Sequence, residues 1–152
     1  METRREKAMT DNERKDLERL LKIAASEPTE GIRFPEELYA RLRGYAKEKV
    51  EKFGLITLNG AHEIMRIRII TIGLVNRTLV HPRELFRPAI KDNASAIFIF
   101  HNHPSGSIIN SPEDDEITER IKKAGVIIGI PLLDHIILGK NAYFSYTGSG
   151  KL

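Results

Sequence analysis

The apolar run AIFIF, residues 96–100, leads directly into HNHPSG, residues 101–106. Five apolar residues in a row cannot alternate between core and water, so the run reads as a buried strand. Such a strand forces the rest of the chain to cover it. Its end is unusual, because the apolar run gives way to two imidazoles. In a strand, residues i and i+2 project to the same face. If the strand extends to residue 103, His101 and His103 lie side by side. Three readings stay open at this point: a pair of metal ligands, a base with its helper, or a polar strand end before a turn.

Composition narrows the choice. The chain of 152 residues suits one domain and has no cysteine, which removes disulfides, thiol catalysis and thiolate metal sites. A metal would have to be held by His, Asp or Glu. Hydrophobic residues make up 41% and charged residues 30%, enough for one buried core. No apolar run is long enough to span a bilayer, and the charged N-terminus lacks the apolar core of a secretory signal. The expected location is the cytoplasm. A net charge of +3 permits contact with nucleic acid but does not argue for it, since no patch concentrates the charge.

Along the chain, Thr10 and Glu13 form a capping box before a stripe of Leu17, Leu20, Leu21 and Ala24, which predicts a first helix. A second helix is expected from Pro35, with Leu38, Leu42 and Tyr45 on one side. FGLITL and EIMRIRIITIGLV read as antiparallel strands joined by the turn NGAH (59–62). In the second of them Met65, Ile67 and Ile69 are expected to face one way and Arg66 and Arg68 the other. Residues 82–93 read as a helix, in which Pro88 fits badly. Residues 111–125 read as a helix capped by Ser111, opened by Pro112 and ended by Gly125. VIIGIPLLDHIIL is expected as a strand broken at Pro131, AYFSY as the last strand, and GSGKL as a loose tail. Strands mixed with helices, including one antiparallel hairpin, predict a layered α/β sandwich rather than a doubly wound parallel sheet.

Zinc takes nitrogen and oxygen ligands in a tetrahedron, and a catalytic site uses three protein ligands plus water. With His101 and His103, the third candidate is Asp114, in the first turn of the helix beyond Pro104, Ser105 and Gly106. A plainer reading competes: Ser111 and Asp114 also suit a helix cap, with the acid complementing the helix dipole.

His101-x-His103-Pro104 followed by Ser111-x-x-Asp114 resembles the JAMM motif of the JAB/MPN metalloprotease superfamily. LVHPRELFRPAI, NASAIFIFHNHPSG and IPLLDHIILGKNAYFS resemble the RadC family, a bacterial branch of that superfamily, over about residues 50–147. The resemblance implies an α-β-α sandwich with a mixed sheet, the architecture shared with cytidine deaminases. It sets residues 1–34 apart as a short helical extension before a JAMM domain over 35–152. It also implies one zinc ion per chain on His101, His103 and Asp114. Glu51 would be the general base and Ser111 the donor to the developing oxyanion. Without the resemblance, Glu51 reads as a solvated charge in EKVEKF. Asp134 and His135 match a recurrent pair of the family, as structural residues, as supports for a zinc ligand, or as substrate contacts.

The resemblance implies an enzyme that hydrolyses an amide bond of a peptide or protein substrate. Its rival is a DNA-associated accessory module with a structural or vestigial metal site. Longer RadC-like proteins carry an N-terminal helix-hairpin-helix region, and residues 1–50 show no Gly-rich hairpin of that kind. Ile108 and Ile109 replace the usual polar loop and would give the site a greasier rim, for an apolar substrate residue or a partner. His81 is expected at a helix start, His62 exposed in a turn, and Ser145 structural. Arg66 and Arg68 are read as solubilising an edge strand before they are read as phosphate contacts. The oligomeric state is not readable from the sequence.

Overall fold

The buried strand predicted at residues 96–100 is the middle of a five-stranded mixed sheet in the computed structural model, which describes residues 35–73 and 80–152. The elements run α1 (Pro35–Ala46), β1 (Lys52–Leu58), β2 (Ile64–Ile72), α2 (Pro82–Lys91), β3 (Ala96–Asn102), α3 (Pro112–Ile128), β4 (Leu132–Leu138) and β5 (Tyr143–Ser145). The sheet order is β2-β1-β3-β4-β5, with β3 and β4 parallel and the other neighbours antiparallel. Every residue of β3 is buried, because both faces of the sheet are covered. One face packs Phe53, Leu55, Ile97 and Ile99 against Leu85 and Phe86 of α2 and Ile117 and Ile121 of α3. The other packs Ile56, Leu58, Phe98 and Phe100 against Leu38, Leu42 and Ala46 of α1. This is the expected α-β-α sandwich. The predicted helix around Leu17 lies outside the described residues.

Four expectations need correction. Gly125 does not end α3, which runs on to Ile128 and is closed by Gly129 at φ 82°. Gly129 and Ile130 both donate their N–H to the Gly125 carbonyl, so the stop signal is the left-handed glycine with Pro131 behind it. Gly125 is needed for a different reason: a Cβ there would stand 2.6 Å from the Ile130 carbonyl oxygen. Val126, Ile127 and Ile128 are therefore helical and exposed, and β4 begins only at Leu132. An apolar run of that length cannot be divided into helix and strand by periodicity alone. Met65 does not share a face with Ile67 and Ile69. It falls at a register shift, between the Thr57–Arg66 and Leu58–Ile64 pairs, and is exposed. In the β1–β2 turn the left-handed residue is His62, at φ 60°. The Asn59 side chain holds that turn by accepting the N–H groups of Ala61 and Glu63. Last, the tail after β5 is not loose: Ser149 and Lys151 donate to the carbonyls of Ser145 and Tyr146.

Asp92, just after α2, ties that helix to the sheet. It accepts from Thr57 of β1 at 2.8 Å and from both ends of the Arg68 guanidinium on β2. Pro88 stays within α2, and its carbonyl still receives the Asp92 N–H. The Arg68 guanidinium holds the Asp92 carboxyl below its ordinary range, against the opposing effect of burial. A depressed carboxylate stabilises the fold above its unfolded-state pKa of about 4, and this is lost as pH falls through the lower folded value. Asp92→Asn should therefore lower the melting temperature at pH 7, and the gap to wild type should close below about pH 4. A gap that is constant with pH would contradict this linkage.

Gly54 of β1 lies under the Phe100 ring, where any Cβ would overlap the ring. Gly54→Ala should cost about 1–3 kcal/mol of stability in denaturant melts, the usual penalty of overpacking.

Candidate metal centre

Sheet parity brings the site together. Ile97, Ile99 and His101 alternate along β3 toward α2 and α3, and His103 continues the same row. β1 pairs antiparallel with β3, Phe53 opposite His101. Carrying that register two residues further sets Glu51 against His103, on the same face. The ligand atoms of Glu51, His101 and His103 all lie within 4.8 Å of one another, a group that could hold a metal ion.

The segment bearing Glu51 is held in place by Asn102. Its side-chain oxygen accepts the Lys52 N–H at 2.7 Å, and its amide donates to the carbonyls of Glu48 and Val50 at 3.3 and 3.1 Å. Asn102 points away from its two histidine neighbours, so one dipeptide step serves both the metal row and the approach to β1. No local sequence pattern singles it out.

Asp114 enters from the first turn of α3. The cap reading and the ligand reading of this residue turn out to be compatible. Ser111 Oγ accepts the Asp114 N–H at 3.1 Å, and Asp114 Oδ2 accepts the Ser111 N–H at 2.8 Å. That reciprocal cap aims Oδ1 at His101 Nε2, 3.2 Å away, while Oδ2 lies 3.7 Å from His103 Nε2. The two Nε2 atoms are 3.0 Å apart. Ligands sharing one zinc at 2.0–2.1 Å in a tetrahedron stand roughly 3.3 Å from each other. The observed spacings fit such an ion without rearrangement. Burial alone would raise the Asp114 carboxyl, and the Ser111 N–H that it accepts opposes that rise.

His103 Nδ1 sits 2.8 Å from the Ser107 carbonyl, which can only accept. The His103 proton is therefore on Nδ1, and the Nε2 lone pair faces the site. Phe53 stacks on His101 with the planes 4° apart, and Tyr146 stacks on His135 at 7°. His135 belongs to the site, since its Nε2 lies 2.8 Å from His101 Nδ1. Asp134 does not reach the ligands. Its carboxylate accepts from the His135 N–H, the Ser145 hydroxyl and the Thr147 N–H, fastening β5 and the turn after it to β4. Burial pushes this carboxyl up, and those three donors oppose the rise. Ser145 is structural, as expected. His81 sits at the start of α2 and His62 is exposed, both remote in role from the centre. Thr118, four residues after Asp114 and so on the same side of α3, also touches His135. Helical spacing from Asp114 is the signal that could have found it.

Ile108 packs against Gly139, where a Cβ would stand 2.6 Å from it, whereas Ile109 is exposed beside the loop. Of these two residues, Ile109 is the exposed one. Among the described residues, no helix is long and apolar enough to cross a membrane.

Mass spectrometry of the folded, untagged chain should find about one divalent metal per molecule, and His103→Ala and Asp114→Ala should both lose it. A metal-free wild type after addition of zinc would contradict the fit.

Comparison with known proteins agrees with this geometry. The family model for the RadC-like JAB domain matches residues 32–151. A UPF0758 protein of Trichlorobacter lovleyi is 48% identical over 102 residues, 67% of this chain and 44% of the relative. One from Rubrobacter xylanophilus is 41% identical over 138 residues, 90% of this chain and 60% of the relative. One from Methanosarcina acetivorans is 36% identical over 136 residues, 89% of this chain and 59% of the relative. The chain thus spans about half the length of the curated relatives it matches. By the family match, its sheet and its row of site residues, this chain belongs to the RadC family of JAB-domain proteins.

Proposed function

We propose that this domain is a zinc-dependent hydrolase of JAMM type that cleaves an amide bond in a peptide or isopeptide substrate. The observation that carries the reading is the convergence of His101, His103 and Asp114 on one point, with the Glu51 carboxylate beside it. A zinc ion bound there would supply Lewis-acid stabilisation and bring the pKa of a water toward about 7. His101, His103 and Asp114 would hold the ion. Glu51 takes the proton of the attacking water and delivers it to the leaving amine nitrogen, a role that needs a carboxylate within hydrogen-bond reach, directly or through one water. Glu51 is half-buried and its carboxylate lies within 4.8 Å of the ligand atoms of His101 and His103, which suits that role. Ser111, whose backbone and side chain already orient Asp114, donates its hydroxyl to the oxyanion of the tetrahedral intermediate. Ile109 favours an apolar substrate residue beside the scissile bond.

The test is hydrolysis of linear and isopeptide-linked fluorogenic peptide libraries by zinc-loaded protein. Glu51→Gln should keep its zinc and lose about 100-fold or more in turnover, as removal of a general base does. Ser111→Ala should lose turnover with a smaller change in zinc content than Asp114→Ala. Full turnover by Glu51→Gln would overturn the assignment of the base.

A second reading has its own observation. Arg66 and Arg68 on the edge strand β2, with Arg87 and Lys91 on α2, line one shallow groove. Asp92 neutralises part of that charge through Arg68. The reading is of a nucleic-acid contact, which should weaken steeply with salt. Binding of duplex or single-stranded DNA that does not fall between 50 and 200 mM salt would remove it.

A further inference from the structure

Thr118 and His135 take no part in the reaction described above, yet they close a ring of contacts behind it. Thr118 Oγ1 lies 2.6 Å from the Asp114 carbonyl oxygen and 2.6 Å from His135 Nδ1. A hydroxyl has one proton, and a carbonyl oxygen can only accept. The Thr118 proton therefore goes to Asp114, and the contact with His135 requires a proton on His135 Nδ1. In a neutral ring the other nitrogen then accepts, so His135 Nε2 receives the proton on His101 Nδ1, 2.8 Å away. His101 Nε2 is left as a lone pair, aimed at the point where His103 Nε2 and Asp114 also converge.

We infer that Thr118 and His135 are positioning residues: the order Asp114 carbonyl, Thr118 hydroxyl, His135, His101 sets the His101 tautomer that a metal requires. The inference rests on the metal reading of the site and extends it to residues that touch no ion. The ring begins and ends on ligands, since Asp114 supplies both the carbonyl that starts it and the carboxylate that faces His101. All four members are buried. Metal-bound histidines usually donate their other N–H to a carboxylate or carbonyl. Here the acceptor is a second imidazole, which could present either a lone pair or a proton to His101. The threonine removes that ambiguity.

The experiment combines two readouts on the full chain. The first is the ¹⁵N shifts of the histidine rings in the metal-free wild-type protein. His101 and His135 should both carry their proton on Nδ1. The second is zinc affinity, by competition with a chromophoric chelator, for wild type, Thr118→Val and Thr118→Ser. Valine keeps the shape and loses the hydroxyl, and serine keeps the hydroxyl. Thr118→Val should bind zinc about 10–100-fold more weakly and show mixed His101 tautomers, whereas Thr118→Ser should stay within about threefold of wild type. Wild-type zinc binding with unchanged affinity in Thr118→Val overturns the relay alone. A wild type that binds no zinc overturns the metal reading itself. His101 found with its proton on Nε2 overturns the relay even if Thr118→Val does not fold.

Discussion

The centre depends on a carboxylate and imidazoles being held out of solvent. His101, His135 and Asp114 are fully buried, and burial of such groups is costly unless each polar atom has a partner. The fold meets that demand with directional hydrogen bonds from its own groups. Ser111 takes care of Asp114, the Ser107 carbonyl of His103, and the chain through Thr118 and His135 of His101. Beyond the two Nε2 atoms that face the site, no buried side-chain nitrogen or oxygen among the described residues lacks a hydrogen-bond partner. The arrangement leaves lone pairs, not protons, directed at one point. That is the electronic requirement of a cation site, and a cation held there would offset the repulsion between groups 3.0 and 3.2 Å apart.

The sandwich supplies rigidity at each contributor. β3 is paired on both sides, antiparallel to β1 and parallel to β4, so His101 is fixed against the strand that follows Glu51 and against His135's strand together. α3 delivers Asp114 and Thr118 one turn apart, from a first turn closed by Ser111 and Pro112. Asp134, on the opposite face of β4 from His135, binds the segment that places Tyr146 flat against the His135 ring. Sites built on paired strands and a capped helix hold their geometry better than sites on free loops.

Much of this is legible in residues 96–114. An apolar run, two histidines at strand spacing and a capped helix start suffice to predict β3, the His101–His103 pair and the entry of α3. Glu51 is legible only through family resemblance. Its local sequence is charged on both sides, and its place depends on an antiparallel register that no short-range pattern encodes. Asp114 is a different case. Cap and ligand look like rivals in the sequence, whereas the geometry lets one carboxylate serve both, Oδ2 accepting the Ser111 N–H and Oδ1 facing His101. Asn102 escapes a sequence reading because its partners lie 50 or more residues away, and Thr118, although at helical spacing from Asp114, meets His135 only 17 residues on. Val126 to Ile128 read as strand because β-branched apolar residues favour it, yet they can end a helix when a left-handed glycine comes next.

X-ray absorption at the zinc edge of the loaded protein tests the metal centre most directly. The predicted result is a shell of nitrogen and oxygen ligands at about 2.0–2.1 Å, with the outer-shell scattering of two imidazoles, reduced to one in His103→Ala. A shell of water oxygens without imidazole scattering would show that the ion binds elsewhere, and the cluster of His101, His103 and Asp114 would not be a metal centre.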